Sequence, residues 1–230
     1  MAFTRKEFLS LSALGAAGTL AACTPQARTS EDTNQPASNV DLEEFKSLKL
    51  DMTQWSYDED NDCYYQLGIQ YCTKPASKSV NTLSVFVPGK YFSGTKKGST
   101  YECEVSEKAV VGSFTASTAP IVMPINTATL FPQSAPTSYA YAGFRGRSAG
   151  YDSTTGSDEL YAGGSPWPAV DFKAAIRYLR YNHEQLPCNT SKIFVFGFAA
   201  GGGLSAVLGT SGDSPLYTPY LKAVGAATHS

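Results

Sequence analysis

The stretch IFVFGFAAGGGLSAVLG, residues 193–209, combines residue types that could carry out chemistry at a single turn. Four apolar residues that favour β-strands precede Gly197, and a helical pattern of apolar residues follows the glycines. A strand that enters a helix through a tight glycine-rich turn is the setting of the motif G-x-S-x-G, whose serine attacks a carbonyl carbon. In this chain the central position is Ala199. The turn therefore has the pattern of a nucleophile site with a methyl group where the hydroxyl should be.

The same turn also comes close to a dinucleotide-binding loop. Residues 197–202 read GFAAGG, which differs from G-x-G-x-x-G because Ala199 stands where the middle glycine should be. That glycine lets the backbone approach a pyrophosphate, and an acidic residue is expected about 20 residues further on. Asp213 lies in a loop pattern and does not close a second strand. The nucleophile turn is favoured, and an ordinary buried turn is the third interpretation.

Around this turn, the order of elements predicts an α/β fold. Segments rich in β-branched and aromatic residues predict strands, namely LKLDMTQWSY and YYQLGIQYC around the acidic turn DEDND, then NTLSVFVPG and APIVMPIN. Strands that later alternate with helices indicate a mostly parallel sheet with flanking helices, preceded by an antiparallel hairpin.

A helix is expected after Pro168 and before Leu186-Pro187, which should stop it. Its apolar positions recur at i, i+3, i+4 and i+7 and form one buried stripe: Phe172, Ala175, Ile176 and Leu179. Its polar side carries Lys173, Arg177, Arg180 and Glu184. We interpret Asp171 as a first-turn helix acid and Asp213 as a turn residue.

Composition restricts the classes of function. The 230 residues are 42% hydrophobic and 17% charged, which suits one globular domain with a sizeable core. A net charge of −2 without a basic block argues against nucleic acid as a partner. No Cys-x-x-Cys or histidine-rich spacing suggests a zinc site.

The N-terminus has the pattern of an export signal. Arg5 and Lys6 precede an apolar stretch that is too short to span a membrane comfortably. The stretch ends in Leu-Ala-Ala-Cys, which resembles the lipobox of bacterial lipoproteins and predicts lipidation of Cys23. The alternative is a plain secretory signal in which Cys23 is incidental. We expect a signal over residues 1–23, a disordered tether over 24–45 and one domain over 46–230, held outside the cytoplasm at the bacterial cell membrane.

Export would permit disulfide bonds among the four remaining cysteines, Cys63, Cys72, Cys103 and Cys188. Cys63 and Cys72 are close enough in sequence to staple a hairpin. The alternative is that all four are small buried apolar side chains.

From about residue 120 to 225 the sequence resembles the α/β-hydrolase superfamily, and in particular bacterial esterases of the tannase-like (subtype B) and related carboxylesterase groups. The segments that carry the resemblance are FRGRSAG at 144–150, AVDFKAAIRYLRYN at 169–182 and GFAAGGGLSAVLGTSGDSPLY at 197–217. The resemblance implies an incomplete α/β-hydrolase fold. In intact relatives it implies ester hydrolysis through a seryl acyl-enzyme, with no metal or organic cofactor.

The resemblance also implies roles for the residues of the turn. Gly197 and Gly201 would let the strand and the helix backbones pass closely, and the N–H of Ala200 would supply one oxyanion donor. The second donor would come from the loop near residues 126–128, Asn-Thr-Ala. An arginine at 145 or 147 could orient the turn or a substrate carboxylate, although a solvated surface turn is the favoured interpretation.

Two departures from the family predict loss of activity. Ala199 cannot attack an ester, and Ser205 lies nearly two helical turns further on. The chain has two histidines, His183 before the turn and His229 only thirty residues after position 199, whereas the catalytic acid and histidine follow the serine in this fold. His183 is expected to be a surface residue at a helix end.

The sequence stops where further strands of such a sheet are expected. The apolar run AVGAAT near the end predicts an open edge strand, which a partner chain could cover. Our hypothesis is a membrane-anchored, catalytically disabled relative of carboxylic-ester hydrolases. The alternative is a non-catalytic protein that binds a small ester, phenolic or glycan ligand in the retained pocket.

Overall fold

Nine strands and three α-helices are formed by the residues that the computed structural model describes, namely 45–79, 81–125, 135, 137 and 165–227, which all belong to one unit, residues 37–230. The strands are β1 Ser56–Asp58, β2 Cys63–Gln70, β3 Thr82–Pro88, β4 Phe92–Lys97, β5 Thr100–Val105, β6 Val110–Val111, β7 Phe114–Thr115, β8 Pro120–Ile125 and β9 Asn189–Gly197. The helices are α1 Trp167–Tyr181, α2 Ala200–Ser211 and α3 Thr218–Ala223. Short 3-10 turns span Lys46–Leu48, Gly89–Tyr91 and Pro215–Tyr217.

Antiparallel pairing dominates the N-terminal part. Strand β2 pairs with both β1 and β3, β4 pairs with β5, and β6 pairs with β7. The predicted hairpin around DEDND is confirmed as β1–β2, and NTLSVFVPG forms β3 as expected. Of the predicted first strand LKLDMTQWSY, however, only Ser56 and Tyr57 lie in β1. The β4–β5 hairpin was not predicted: FSGTKK of β4 lacks an alternation of apolar and polar residues, although TYECEV of β5 has one.

Only one parallel pair, β8 with β9, occurs in the described part of the chain. The expected α/β class holds, but the expectation of a mostly parallel sheet is wrong for these residues. Strand β8 is the predicted APIVMPIN segment, and β9 is the predicted strand that leads into the glycine-rich turn. One side of the pair packs on α1 and α2 through Met123, Ile125 and Val195.

Helix α1 is buried on two sides, and the prediction of a single buried stripe with an opposite polar face is wrong. Its Trp167, Val170, Ala174 and Tyr178 pack into the large core of the antiparallel strands, while Ala169 and Phe172 pack beneath β8, β9 and α2. Lys173, which was expected in solvent, is only 7% exposed. The helical spacing of apolar residues in the sequence marks only one buried face of α1. The other face packs against residues that are distant in the sequence, so the spacing does not reveal it.

Asp171 also differs from its predicted role. It is the fifth residue of α1 rather than a first-turn acid, and only 1% of its surface is exposed. Asp213 lies in the exposed turn after α2, as expected.

The end of α1 depends on a buried asparagine and not on the expected Leu186-Pro187 stop. The helix ends at Tyr181, and the side chain of Asn182 donates from Nδ2 to Leu48 O (2.9 Å) and to Tyr178 O (3.0 Å). Asn182 Oδ1 accepts from the Leu50 N–H (2.8 Å). This residue therefore attaches the segment before β1 to the end of the helix.

The AVGAAT run is not the open edge strand that the sequence predicts. Residues Val224–Ala227 follow α3 and are buried, with Ala226 in an antiparallel bridge to Cys72. Thr73 N donates to Gly225 O (2.9 Å) and Lys74 N donates to Val224 O (3.0 Å). The run is apolar because it packs against this segment and α1.

A Cys63–Cys72 staple is excluded by the position of the two residues. Cys63 begins β2 and Cys72 lies beyond its other end, so a whole extended strand separates them. Cys63, Cys72, Cys103 and Cys188 are all free, and the first three are buried, as in the alternative interpretation.

The predicted export signal, its Cys23 and most of the tether lie outside the described residues. No helix within the described ranges is both long enough and apolar enough to cross a membrane.

The outer side of β8–β9 exposes large apolar side chains. Val122 is 60% exposed, Phe194 62% and Phe196 43%. Both faces of a parallel sheet are normally covered, and an apolar strand left open is prone to self-association.

We therefore propose that the chain self-associates through this side of β8–β9. Phe194→Ser and Phe196→Ser should each weaken that association, because each removes an exposed aromatic side chain from β9. Loss of one such contact should raise the dissociation constant by about tenfold. Sedimentation velocity over a concentration series measures this. Leu216→Ser is the matched control, since Leu216 is 78% exposed in the Pro215–Tyr217 turn, outside the sheet. An equal effect of Leu216→Ser would contradict the role of β9.

Candidate active site

The glycine-rich turn lies where two parallel strands end together. In the β8–β9 register Met123 pairs with Val195, Pro124 with Phe196 and Ile125 with Gly197. Ligands in open α/β sheets bind beyond the carboxyl ends of the strands. Residues 198–200, which connect β9 to α2, are therefore at the edge where a site is expected.

Gly197 allows three backbone segments to meet at this edge. A Cβ atom on Gly197 would overlap the carbonyl oxygen of Ile125 and would lie 2.5 Å from the carbonyl carbon of Gly201. Any side chain at position 197 would thus separate β8, β9 and the first turn of α2. This contact is the close approach that the sequence predicts for Gly197 and Gly201.

Ala199 forms the corner between β9 and α2 in an unfavourable backbone conformation. Its φ is 50° and its ψ is −123°, and it is the residue that precedes the first turn of α2. Residues with a Cβ rarely adopt such angles, and the cost is on the order of 1–3 kcal/mol. Ala199 is exposed, and so is its neighbour Phe198. The corner therefore presents position 199 at the surface of the described structure.

The first turn of α2 directs backbone N–H groups toward this corner. Gly201 N donates to Phe198 O (2.8 Å) and Gly203 N donates to Ala199 O (3.2 Å). Ala200 is the first helical residue, and a donor at that position has no partner within its own helix. The positive end of the helix dipole lies at the same place, so this turn can stabilise a negative charge that forms beside residue 199.

Helix α2 is supported from below and at its far end. Leu204 and Leu208 pack against Ile125 and Phe172 in the core beneath the turn. At the other end, Lys173 of α1 donates from Nζ to the carbonyl oxygen after α2, that of Gly212, and its ammonium lies 4.4 Å from the centre of the Tyr217 ring. Burial and the neighbouring Arg177 charge lower the pKa of Lys173. A cation at the carboxyl end of α2 complements the helix dipole.

The sequence does not predict this role of Lys173. Lys173 lies on the polar side of the helical pattern. The sequence shows the same pattern whether this lysine faces water or the end of another helix, so it cannot distinguish the two positions. The contact depends on how α1 and α2 pack, and no separate signal in the sequence marks it.

The other candidate residues do not join the turn within the described part of the chain. Ser205 Oγ donates to Gly201 O (2.8 Å), further along α2. His183 is exposed beyond the end of α1, with Nδ1 3.0 Å from Arg180 O, which agrees with the predicted surface position at a helix end. The predicted second oxyanion loop at 126–128, both arginines of 145–147 and His229 lie outside the described residues.

The chain resembles a known family in sequence and several solved structures in fold. Residues 160–224, which contain α1, β9, α2 and α3, match the family BD-FAE. Comparison with curated protein sequences gives no significant match.

Three solved structures illustrate the structural similarity. The Fusobacterium nucleatum tannase is 29% identical with a TM-score of 0.62, and the match covers 79% of this chain and 39% of that protein. A tannin acyl hydrolase from Lactobacillus plantarum is 29% identical with a TM-score of 0.60, and the match covers 79% of this chain and 40% of that protein. A tannase from Lactobacillus plantarum is 31% identical with a TM-score of 0.53, and the match covers 73% of this chain and 36% of that protein. The chain thus spans about two fifths of the length of the tannases that it matches.

The close approach at Gly197 provides a direct test of the turn. Gly197→Ala should destabilise the chain by about 3 kcal/mol or more, because the new methyl group overlaps backbone atoms that cannot move independently. Gly203→Ala is the matched control, since a Cβ there has no neighbour within 4 Å. It should stabilise α2 by about 1 kcal/mol. Urea unfolding measures both, and a Gly197→Ala variant as stable as the parent would contradict the described contact.

Proposed function

This chain is a tannase-like α/β-hydrolase, and on that premise we propose that its turn at residues 197–201 is a carboxylic-ester site whose nucleophile position is occupied by Ala199. The observation that carries the proposal is the conformation of Ala199. A residue that gains nothing locally from φ 50° and ψ −123° adopts these angles at the corner between β9 and α2, where the motif places the reactive serine.

In the serine form of this site, the hydroxyl oxygen at position 199 would attack the ester carbonyl, and the alcohol would leave after collapse of the tetrahedral intermediate. The N–H of Ala200 would donate to the oxyanion at the start of α2. Water would then hydrolyse the acyl-enzyme. With alanine at 199 no atom can form the acyl bond, and loss of the nucleophile in such enzymes costs on the order of 10⁶-fold in turnover. We therefore propose that this form has negligible esterase activity.

Binding without turnover is the second candidate function. It is supported by the exposed corner and by the helix N-terminus, neither of which depends on a hydroxyl at 199. Solved tannin acyl hydrolases that this chain resembles at 28% identity are described in complex with ethyl gallate and with 3,4-dihydroxybenzoate. These two compounds are the first ligands to test, and calorimetric binding of either one without hydrolysis would favour the binding function.

Activity is tested most sharply in a chimera, because the chain spans only part of its relatives. Residues 45–227 would replace the matched segment of the Fusobacterium nucleatum tannase, either with the parental Ala199 or with the substitution Ala199→Ser or Ala199→Gly. We expect the Ala199→Ser chimera to hydrolyse ethyl gallate, and the parental and Ala199→Gly chimeras to be slower by about 10⁶-fold. The intact chain itself should show no hydrolysis above the buffer rate.

Two results of that experiment would reject the proposal. Hydrolysis by the parental chimera at a rate near that of the serine form would mean that residue 199 is not the nucleophile position. A folded but inactive Ala199→Ser chimera would mean that the turn is not a catalytic site.

We further propose that the protein is exported and lipid-anchored through Cys23, as the lipobox-like Leu-Ala-Ala-Cys sequence predicts. Cells that express the full chain should incorporate labelled palmitate into it, and Cys23→Ser should abolish this because the thiol is the site of lipid attachment. A Cys63→Ser variant is the control for an incidental cysteine. Labelling that survives Cys23→Ser would reject the anchor.

A further inference from the structure

A buried carboxyl group on α1 has no part in the proposed ester site. Asp171 is 1% exposed, and its hydrogen-bond partners are Tyr71, directly after β2, and Asn81, directly before β3. Tyr71 is fully buried and Asn81 is 2% exposed. The cluster therefore joins α1 to the antiparallel strands, away from the turn at 197–201.

The hydrogen bonds of this cluster are incomplete. Asn81 Nδ2 donates to Asp171 Oδ1 (3.1 Å) and to the Tyr71 hydroxyl (2.9 Å), and the Tyr71 hydroxyl also bonds to the Asp171 carboxyl group. Asp171 Oδ2 is buried and has no hydrogen-bond partner among the described residues. A buried polar atom without a partner costs free energy, and the cost is larger if it carries charge.

The same cluster fastens a segment that we call the strap, Tyr71–Ser79. Asn81 Oδ1 accepts from Ser77 N (2.9 Å), and Asn81 N donates to Ser77 O (2.9 Å). At Thr73 and Lys74 the strap backbone also pairs with the buried residues after α3. Movement at Asp171 would therefore be transmitted along the strap to Val224–Ala227.

Among the described residues, no positive charge is one of the groups that shift the ionisation of Asp171. From β2 and the strap it faces Tyr71 and Cys72, both of which are neutral acids whose own pKa is raised chiefly by burial. Asn81 is uncharged. Burial raises the pKa of Asp171 to about 7, and the hydrogen bonds from Tyr71 and Asn81 only partly oppose this. An ionised Asp171 would be an unpaired buried anion, which is strongly unfavourable.

We propose that the protonation state of Asp171 controls how firmly α1 packs against the strap Tyr71–Ser79. The neutral acid stabilises this packing, and loss of its proton weakens it. The effect acts through packing and needs no ligand.

The direction of the pH dependence follows from the proton balance. Between the usual pKa of 3.8 and the folded-state pKa of about 7, the folded chain keeps a proton on Asp171 that the unfolded chain has lost. Stability from this group is complete below that window and decreases as the pH rises through it. Most paired carboxyl groups behave in the opposite way, so the sign is diagnostic.

Hydrogen exchange of the Thr73 and Lys74 amides in the full chain, corrected for the intrinsic exchange rate, tests whether protonation of Asp171 stabilises the strap. Protection should fall by at least about tenfold between about pH 5 and about pH 8. Asp171→Asn keeps the shape of the neutral acid and should remove this dependence. Asp213→Asn, at an exposed acid, is the matched control and should retain it.

Equal pH profiles for the parent and Asp171→Asn would overturn the proposal, as would protection that increases with pH. If Asp171→Asn does not fold, infrared spectra of the parent decide. A band from a protonated carboxyl group that is present near about pH 6 and lost near about pH 8 supports the proposed role of Asp171. Absence of that band near about pH 6 overturns the proposal. No readout uses ester turnover, so failure here is distinct from failure of the proposed function.

Discussion

The close contact between Gly197, Gly201 and the carbonyl of Ile125 determines the geometry of the candidate site. It presses the first turn of α2 against the ends of two parallel strands, so the chain must reverse at Ala199 within one residue. The resulting strain, on the order of 1–3 kcal/mol, is offset by burial of Leu204 and Leu208 beneath the turn. The corner is thus imposed by packing, and it persists without the hydroxyl group whose chemistry would use it.

Helix α1 connects this site to the rest of the molecule. On one side Phe172 packs beneath the turn, and Lys173 contacts the carboxyl end of α2. On another side Asp171 and Asn182 attach the antiparallel strands and the segment before β1. Support of the candidate site and the contact that we propose to depend on a proton are therefore built on neighbouring residues of one helix.

Local features of this fold could be read from the sequence because their causes are local. β-forming residues before Gly197 and a helical period after it predict β9, the turn and α2, and the spacing of glycines predicts where the backbones meet. The tannase-like segments likewise identify the family. The identity of residue 199 is a fact of sequence alone: the central position of the G-x-S-x-G-like turn is alanine.

Non-local packing decided what the sequence left open or predicted wrongly. A period of apolar residues cannot show that α1 has a second buried side, that Lys173 meets a helix end, or that AVGAAT folds back onto the strap. Nor can it tell the direction of strand pairing, since parallel and antiparallel strands use the same residue types. Each of these features depends on a partner far away in the chain. The sequence determined that position 199 carries only a methyl group, and the tertiary structure decided the strained, exposed corner in which this residue lies.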